Sequence, residues 1–131
     1  MTNEQERNCL DWVEAMLSGQ YKHGKVLLYN ASLDTHSVHG VALRLAKHPV
    51  VWGNQFAEVY PVQRNRFVSS LWFEKRFGLK HLPSHYQTVN DMTSNYLAVC
   101  ALVLNACSQT GKQRRLHNKM MQQFRSSHSR F

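Results

Sequence analysis

Between Tyr96 and Leu104 the chain reads Tyr-Leu-Ala-Val-Cys-Ala-Leu-Val-Leu, without a single charged side chain. A helix that is apolar on every side must be covered on most of them, and this stretch is far short of the ~20 residues that span a bilayer. The segment is therefore expected to be the central helix of a packed core. Asn90, Asp91, Thr93 and Ser94 stand just before it and are residue types that cap helices or make turns. A carboxylate beside an amide at such a place can also orient a ligand or a metal, but capping accounts for Asn90 and Asp91 without one.

Other segments supply the cover. Cys9, Leu10, Val13, Met16 and Leu17 fall on one stripe of a helix expected from Glu4 to Ser18, with Trp12 at its flank, a cap at Asn3 or a nearby polar residue, and Gly19 as its left-handed end. Lys25 to Tyr29 is aliphatic, lies between Gly24 and Asn30, and reads as a strand followed by a turn from Asn30 to Asp34. A second helix is expected from Thr35, as its cap, to His48, with Val38, Val41, Ala42 and Leu45 inward and Pro49 as its stop. Gly40 inside it costs about 1 kcal/mol relative to alanine, which points to a close backbone approach. Val50 to Trp52 and Phe56 to Val62 read as short strands, the latter broken by Pro61.

An amphipathic helix is expected from Asn65 to Phe77, closed by Gly78 with Leu79 packing back on it, followed by a loop from His81 to His85. Leu116, Met120 and Phe124, four apart, predict a last helix from about Lys112 to Gln123, frayed beyond. The fold class is α+β and mainly helical, with four to five helices and a small two- to three-stranded β element. A chain of 131 residues makes one domain, here residues 1–107, with 108–131 as a basic extension.

The cysteines, Cys9, Cys100 and Cys107, are odd in number, and they read as reduced, buried thiols. Met1 to Arg7 is polar and acidic, unlike a signal peptide, so a cytoplasmic location and no membrane contact are expected. His36 and His39, like His81 and His85, have spacings that one helix face could use for a metal, yet no cysteine pair or HExxH accompanies them. They read as surface or capping histidines, and neither a metal nor a cofactor is expected. There is no Gly-rich phosphate loop, no G-x-S-x-G and no Cys–His pair at a known spacing, which weighs against an enzyme.

The run Trp12-Val-Glu-Ala-Met-Leu-Ser-Gly-Gln-Tyr-Lys22, then Leu27 or Leu28, then His36-Ser-Val-His-Gly-Val-Ala-Leu43, resembles a widespread uncharacterised family of small phage and bacterial proteins. Phe77-Gly-Leu79 and Val89-Asn-Asp91 before a hydrophobic helix continue the resemblance, which covers roughly Asp11 to Asn105. It implies a phage or mobile-element setting, and so a bacterial host cell, and supplies no chemistry. Ser37, Val38 and His39 stand near where the family commonly has adjacent cysteines, and His23 replaces its glutamine. The segment from Lys112 onward lies beyond the matched region.

Charge is concentrated in that segment. Lys112, Arg114, Arg115, Lys119, Arg125 and Arg130 supply six of the chain's eight net positive charges, while residues 1–107 hold ten Lys/Arg against eight Asp/Glu. A local excess of this kind addresses an anion. With Arg64, Arg66, Lys75, Arg76 and Lys80 it would form a continuous positive face if the two helices lie side by side. Phe67, Trp72, Phe73 and Phe77, interleaved there, read as core rather than base-stacking platforms. Tyr21, Lys22, His23 and Lys25 form either a phosphate-contacting loop or a solvated turn.

Two functions fit. The first is a non-enzymatic accessory protein that binds nucleic acid through the C-terminal helix and the 64–80 helix. The second is an inhibitor that docks on an acidic surface of a host defence or transcription complex. Composition leaves the partner and the oligomeric state open.

Overall fold

A computed structural model describes residues 1–47, 70–81 and 83–128. Helices α1 (Asn3–Leu17), α2 (Val38–Ala46), α3 (Ser70–Phe77), α4 (Pro83–Met92), α5 (Leu97–Ala106) and α6 (Gly111–His128) surround a small sheet of strands β1 (Lys22–His23), β2 (Tyr29–Asn30) and β3 (Thr35–His36). The mainly helical α+β expectation holds among these residues. The strands expected at Val50–Trp52 and Phe56–Val62, Pro49, and the first part of the Asn65–Phe77 helix lie outside them.

The first helix begins one residue early because Thr2 and Gln5 form a reciprocal capping box, Thr2 Oγ1 accepting from Gln5 N–H at 3.1 Å and Gln5 Oε1 accepting from Thr2 N–H at 2.8 Å. It, rather than α5, is the hub of the fold, touching α2, α3, α5 and α6. Trp12 is no flank residue but fully buried. Its indole N–H donates to the Val38 carbonyl at 2.9 Å, and its ring stacks on Phe77 at 4.6 Å with Phe73 edge-on at 6.0 Å. Phe73 and Phe77 are therefore core, as their spacing predicts. All three cysteines are free and buried.

The β element is smaller and differently placed than Lys25–Tyr29 predicts. Strand β3 pairs parallel with β1 (Lys22 with Thr35) and antiparallel with β2 (Tyr29 with His36). Between β1 and β2 the backbone leaves the extended region, Val26 adopting a φ of 68° with its N–H held by Asp91 Oδ1 at 2.8 Å. Aliphatic content alone carries no information about that tether. Thr35 and His36, expected to open the second helix, are thus a strand, and Ser37 caps α2 by accepting from Gly40 N–H at 3.2 Å. Lys47, at φ 53°, closes it.

A sixth helix appears where a loop is expected. Pro83 suits a first helical position, and α4 then buries Pro83, Tyr86 and Asn90 on one face. With an amide in place of a third apolar residue, that stripe escapes a hydrophobic pattern. Upstream of α4, Gly78 at φ 61° ends α3 as expected and Leu79 packs inward.

Helix α5 buries Val99, Cys100, Val103 and Leu104 but leaves Leu97, Ala98, Ala101 and Leu102 half-exposed, so it is not enclosed as its composition predicts. Helix α6 packs on α1 and α5 through Leu116 and Met120. Two of its glutamines close carbonyls that helix ends leave open. Gln113 donates to Leu104 O at 3.0 Å and Gln123 to Leu17 O at 2.8 Å.

Candidate interaction groove

Asn90 and Asp91 do not cap α5. Asn90 is fully buried inside α4. Its Oδ1 accepts from Val38 N–H at 3.1 Å and its amide donates to Gly24 O at 2.9 Å, so one side chain joins α4, α2 and the β1–β2 connection. Asp91 Oδ1 receives Val26 N–H, the Gln87 amide at 2.8 Å and the Asn90 amide at 3.0 Å. The pair is fully engaged in holding the fold. Asn95, one residue beyond Ser94, serves α5 instead, its Oδ1 accepting from Leu97 N–H at 2.9 Å.

His36 and His39 are likewise interior, contrary to a surface or capping role. His39 donates from Nε2 to Pro83 O at 2.7 Å beside Trp12, and burial pushes its pKa down to about 4. Burial, aided by the Arg44 guanidinium that donates to its Nε2 at 3.1 Å, pushes His36 down to about 4 as well. Both are neutral in the folded chain, whereas an unfolded imidazole titrates near 6.5. A folded-state value below the unfolded one gives stability that is present above ~6.5 and lost as pH falls towards the folded value. Unfolding in urea is expected to show His39 alone removing roughly 2 kcal/mol between pH 7 and pH 5, with His39→Gln flattening that slope. His81 and His85 are exposed, rings 4.3 Å apart. Among the described residues no group of three or more His, Cys, Asp or Glu is placed to hold a metal ion.

The basic residues are dispersed. Lys112 pairs with Asp11 at 2.9 Å and Glu14 at 3.5 Å. The hydrogen bond to Asp11 holds its pKa above the ordinary lysine value, and its charge is locally answered. Arg114 donates to Gln109 O at 3.0 Å. Arg115, Lys119 and Arg125 are exposed on α6. On α3, Lys75 is exposed, Lys80 follows it, exposed, and Arg76 is half-buried with its guanidinium 5.9 Å from the Phe77 ring. Arg64 and Arg66 lie outside the described residues, as does Arg130.

Helices α3 and α6 do not lie side by side. Gln5 and Asn8 of α1 donate to the α3 carbonyls of Glu74, Lys75 and Arg76, while Asp11 and Glu14 meet α6 at Lys112. The exposed stripe of α1 between those contacts is Glu4, Arg7, Asp11 and Glu14. A mostly acidic ridge therefore lies between the described cations of α3, Lys75 and Arg76, and those of α6.

Another surface is assembled where α6 crosses the start of α5. A groove of about 640 Å³ is lined by Met92, Leu97, Ala98, Ala101, Met121 and Phe124, with Lys25, Thr93, Ser94, Asn95, Met120 and Ser127 completing it. Asn95, Leu97 and Ser127 also border a second recess of about 430 Å³ that contains Tyr21 and His23. Of the loop expected to contact phosphate, Lys25 and Tyr21 thus reach this surface, while Lys22 is exposed in β1 without lining it. Tyr21 is half-buried, edge-on to His36 at 5.1 Å, and His23 donates to Asn90 O at 3.1 Å. Met92 is 78% exposed.

The methionines and alanines of this groove carry no signal in the sequence that separates them from core. Only the unfinished cover of α5 does, and that appears once the other helices are placed. No family model, no curated protein and no solved structure matches the chain. No described helix is long and apolar enough to cross a membrane.

Proposed function

We propose that this chain is a non-enzymatic accessory protein that works by docking on another protein, with the α5–α6 groove as its contact surface. The carrying observation is the incompletely covered apolar face of α5, half-buried Leu97, Ala98 and Ala101, continued by half-buried Met121 and by exposed Met92 and Phe124. Contiguous exposed apolar surface rimmed by polar residues is the mark of a protein contact. Methionine suits such surfaces because its side chain repacks around different shapes. A role in a phage or mobile-element setting, inhibiting a host defence or transcription complex in the cytoplasm, fits a small binder of this kind.

Binding of nucleic acid is the second reading, favoured by exposed Arg115, Lys119 and Arg125 on a helix with no carboxylate. The α1 ridge of Glu4, Asp11 and Glu14 weighs against a phosphate track running from α6 to α3. Affinity capture from host lysate with the full chain, with and without nuclease, separates the two. Docking predicts one dominant protein that survives nuclease and falls at least tenfold with Met92→Glu. Recovery of nucleic acid alone, or of a protein indifferent to Met92→Glu, rejects the groove as the working surface.

A further inference from the structure

From Met92 to Phe131 the sequence contains no aspartate or glutamate, and both helical walls of the groove come from this stretch. The remaining contributor is Lys25, a cation. An apolar floor thus lies between walls that are neutral or positive. Arg125 follows Phe124 directly and stands four residues after Met121, so it lies one turn along α6 from that groove residue, exposed although not itself among the lining residues. Lys25 stands on the groove wall with its side chain exposed.

We propose that the groove binds an acidic amphipathic helix of a partner protein, apolar side chains down and carboxylates towards Lys25 and Arg125. The inference rests on the docking reading above and names the chemistry of its occupant. A helix is chosen over a strand because the walls are themselves helices, whose backbone groups are already bonded, so no sheet edge is offered for strand addition. Met120 to Ser127 covers ~12 Å at a rise of about 1.5 Å per residue, room for roughly two turns of a partner helix with anchors at i, i+3 or i+4, and i+7. A second copy of this chain is a poorer occupant. Its own groove walls carry the same sign of charge, and its acidic stripe on α1, Glu4, Asp11 and Glu14, presents no apolar residue among them.

The test uses the full chain and two synthetic fluorescent helices with the same leucine anchors, one flanked by glutamate and the other by lysine. Fluorescence anisotropy in low salt is expected to give at least tenfold tighter binding for the glutamate helix. Met92→Glu should weaken it at least tenfold, and Lys25→Glu combined with Arg125→Glu should abolish the preference between the twins. All these positions are exposed, and circular dichroism melts confirm that the variants fold. Equal affinity of the twins overturns the proposal, as does glutamate-helix binding that Met92→Glu leaves unchanged, which places it on the other lysines and arginines. Dimerisation of the chain that Met92→Glu abolishes and that excludes the helix also overturns it, in favour of a second copy. If the twins bind equally while lysate capture still depends on Met92, the acidic-helix inference falls and the docking reading stands. If the glutamate helix prefers the groove but capture yields only nucleic acid, the docking function falls and the groove's chemistry stands.

Discussion

Gly40→Ala is expected to destabilise the chain by about 4 kcal/mol, lowering Tm by about 15 °C, and to leave little folded protein at 37 °C. A Cβ at this position would lie 2.0 Å from the Leu28 carbonyl oxygen and 2.9 Å from its carbon. Overpacking against side chains usually costs ~1–3 kcal/mol because rotamers give way, whereas here the obstacle is backbone. That backbone is also held, since Leu28 O accepts from Ser37 N–H at 3.2 Å just before α2 starts. Moving it means losing the contact between the residue preceding β2 and the cap of α2. Gly111→Ala, whose Cβ would meet nothing within 4 Å, is the control and should leave Tm within a degree or two. A Gly40→Ala protein as stable as the parent would show that α2 does not sit on Leu28.

Asn90→Leu is expected to cost about as much, roughly 4 kcal/mol, although it keeps the side chain's size. The loss is in pairing. Val38 N–H and Gly24 O each lose their partner on Asn90 in a buried setting, at ~1–3 kcal/mol apiece, and leucine offers neither a donor nor an acceptor. Asp91→Asn retains an oxygen for Val26 N–H and should cost about 1 kcal/mol or less. Urea unfolding of both variants, with the slope against denaturant unchanged, checks the ordering. Equal stability of the Asn90 and Asp91 variants would remove Asn90 from its place as the tie between α4, α2 and the β1–β2 connection.

These two residues show what could be read in advance. Gly40 was legible because a glycine inside a helix is a local cost that needs a local reason, and close packing is the commonest one. Gly78 with Leu79 was legible on similar grounds, since the left-handed cap and its hydrophobic contact occupy adjacent residues. Asn90 was not, because an amide before an apolar run has the local signature of a cap, while its actual partners, Gly24 and Val38, are more than fifty residues away in sequence. The strand expected at Lys25–Tyr29 failed for a related reason. Val26 is tied to Asp91, a side chain sixty-five positions later, and that tether rather than aliphatic content sets its backbone.

The basic segment followed the same division. Leu116 and Met120 at helical spacing identified α6 and its inward face, because periodicity is a property of a single helix. Where its cations would lie relative to Lys75 and Lys80 depended on which helix stood between, and α1 brought Glu4, Asp11 and Glu14 there.

By itself, then, the amino-acid sequence determined the described helices other than α4, the inward faces of α1 and α6 and that of α2 except for Leu45, which is exposed, and the absence of any carboxylate beyond Asp91, all consequences of short-range spacing and side-chain chemistry. The tertiary structure alone decided that α1 and not α5 is the hub, that the Lys112 charge is paired with Asp11 and Glu14, and that Leu97, Ala98 and Ala101 are only half-covered beside Met92 and Met121. Apolar character says that a surface is better removed from water. Whether the chain's own helices or another molecule removes it depends on how those helices are arranged around one another.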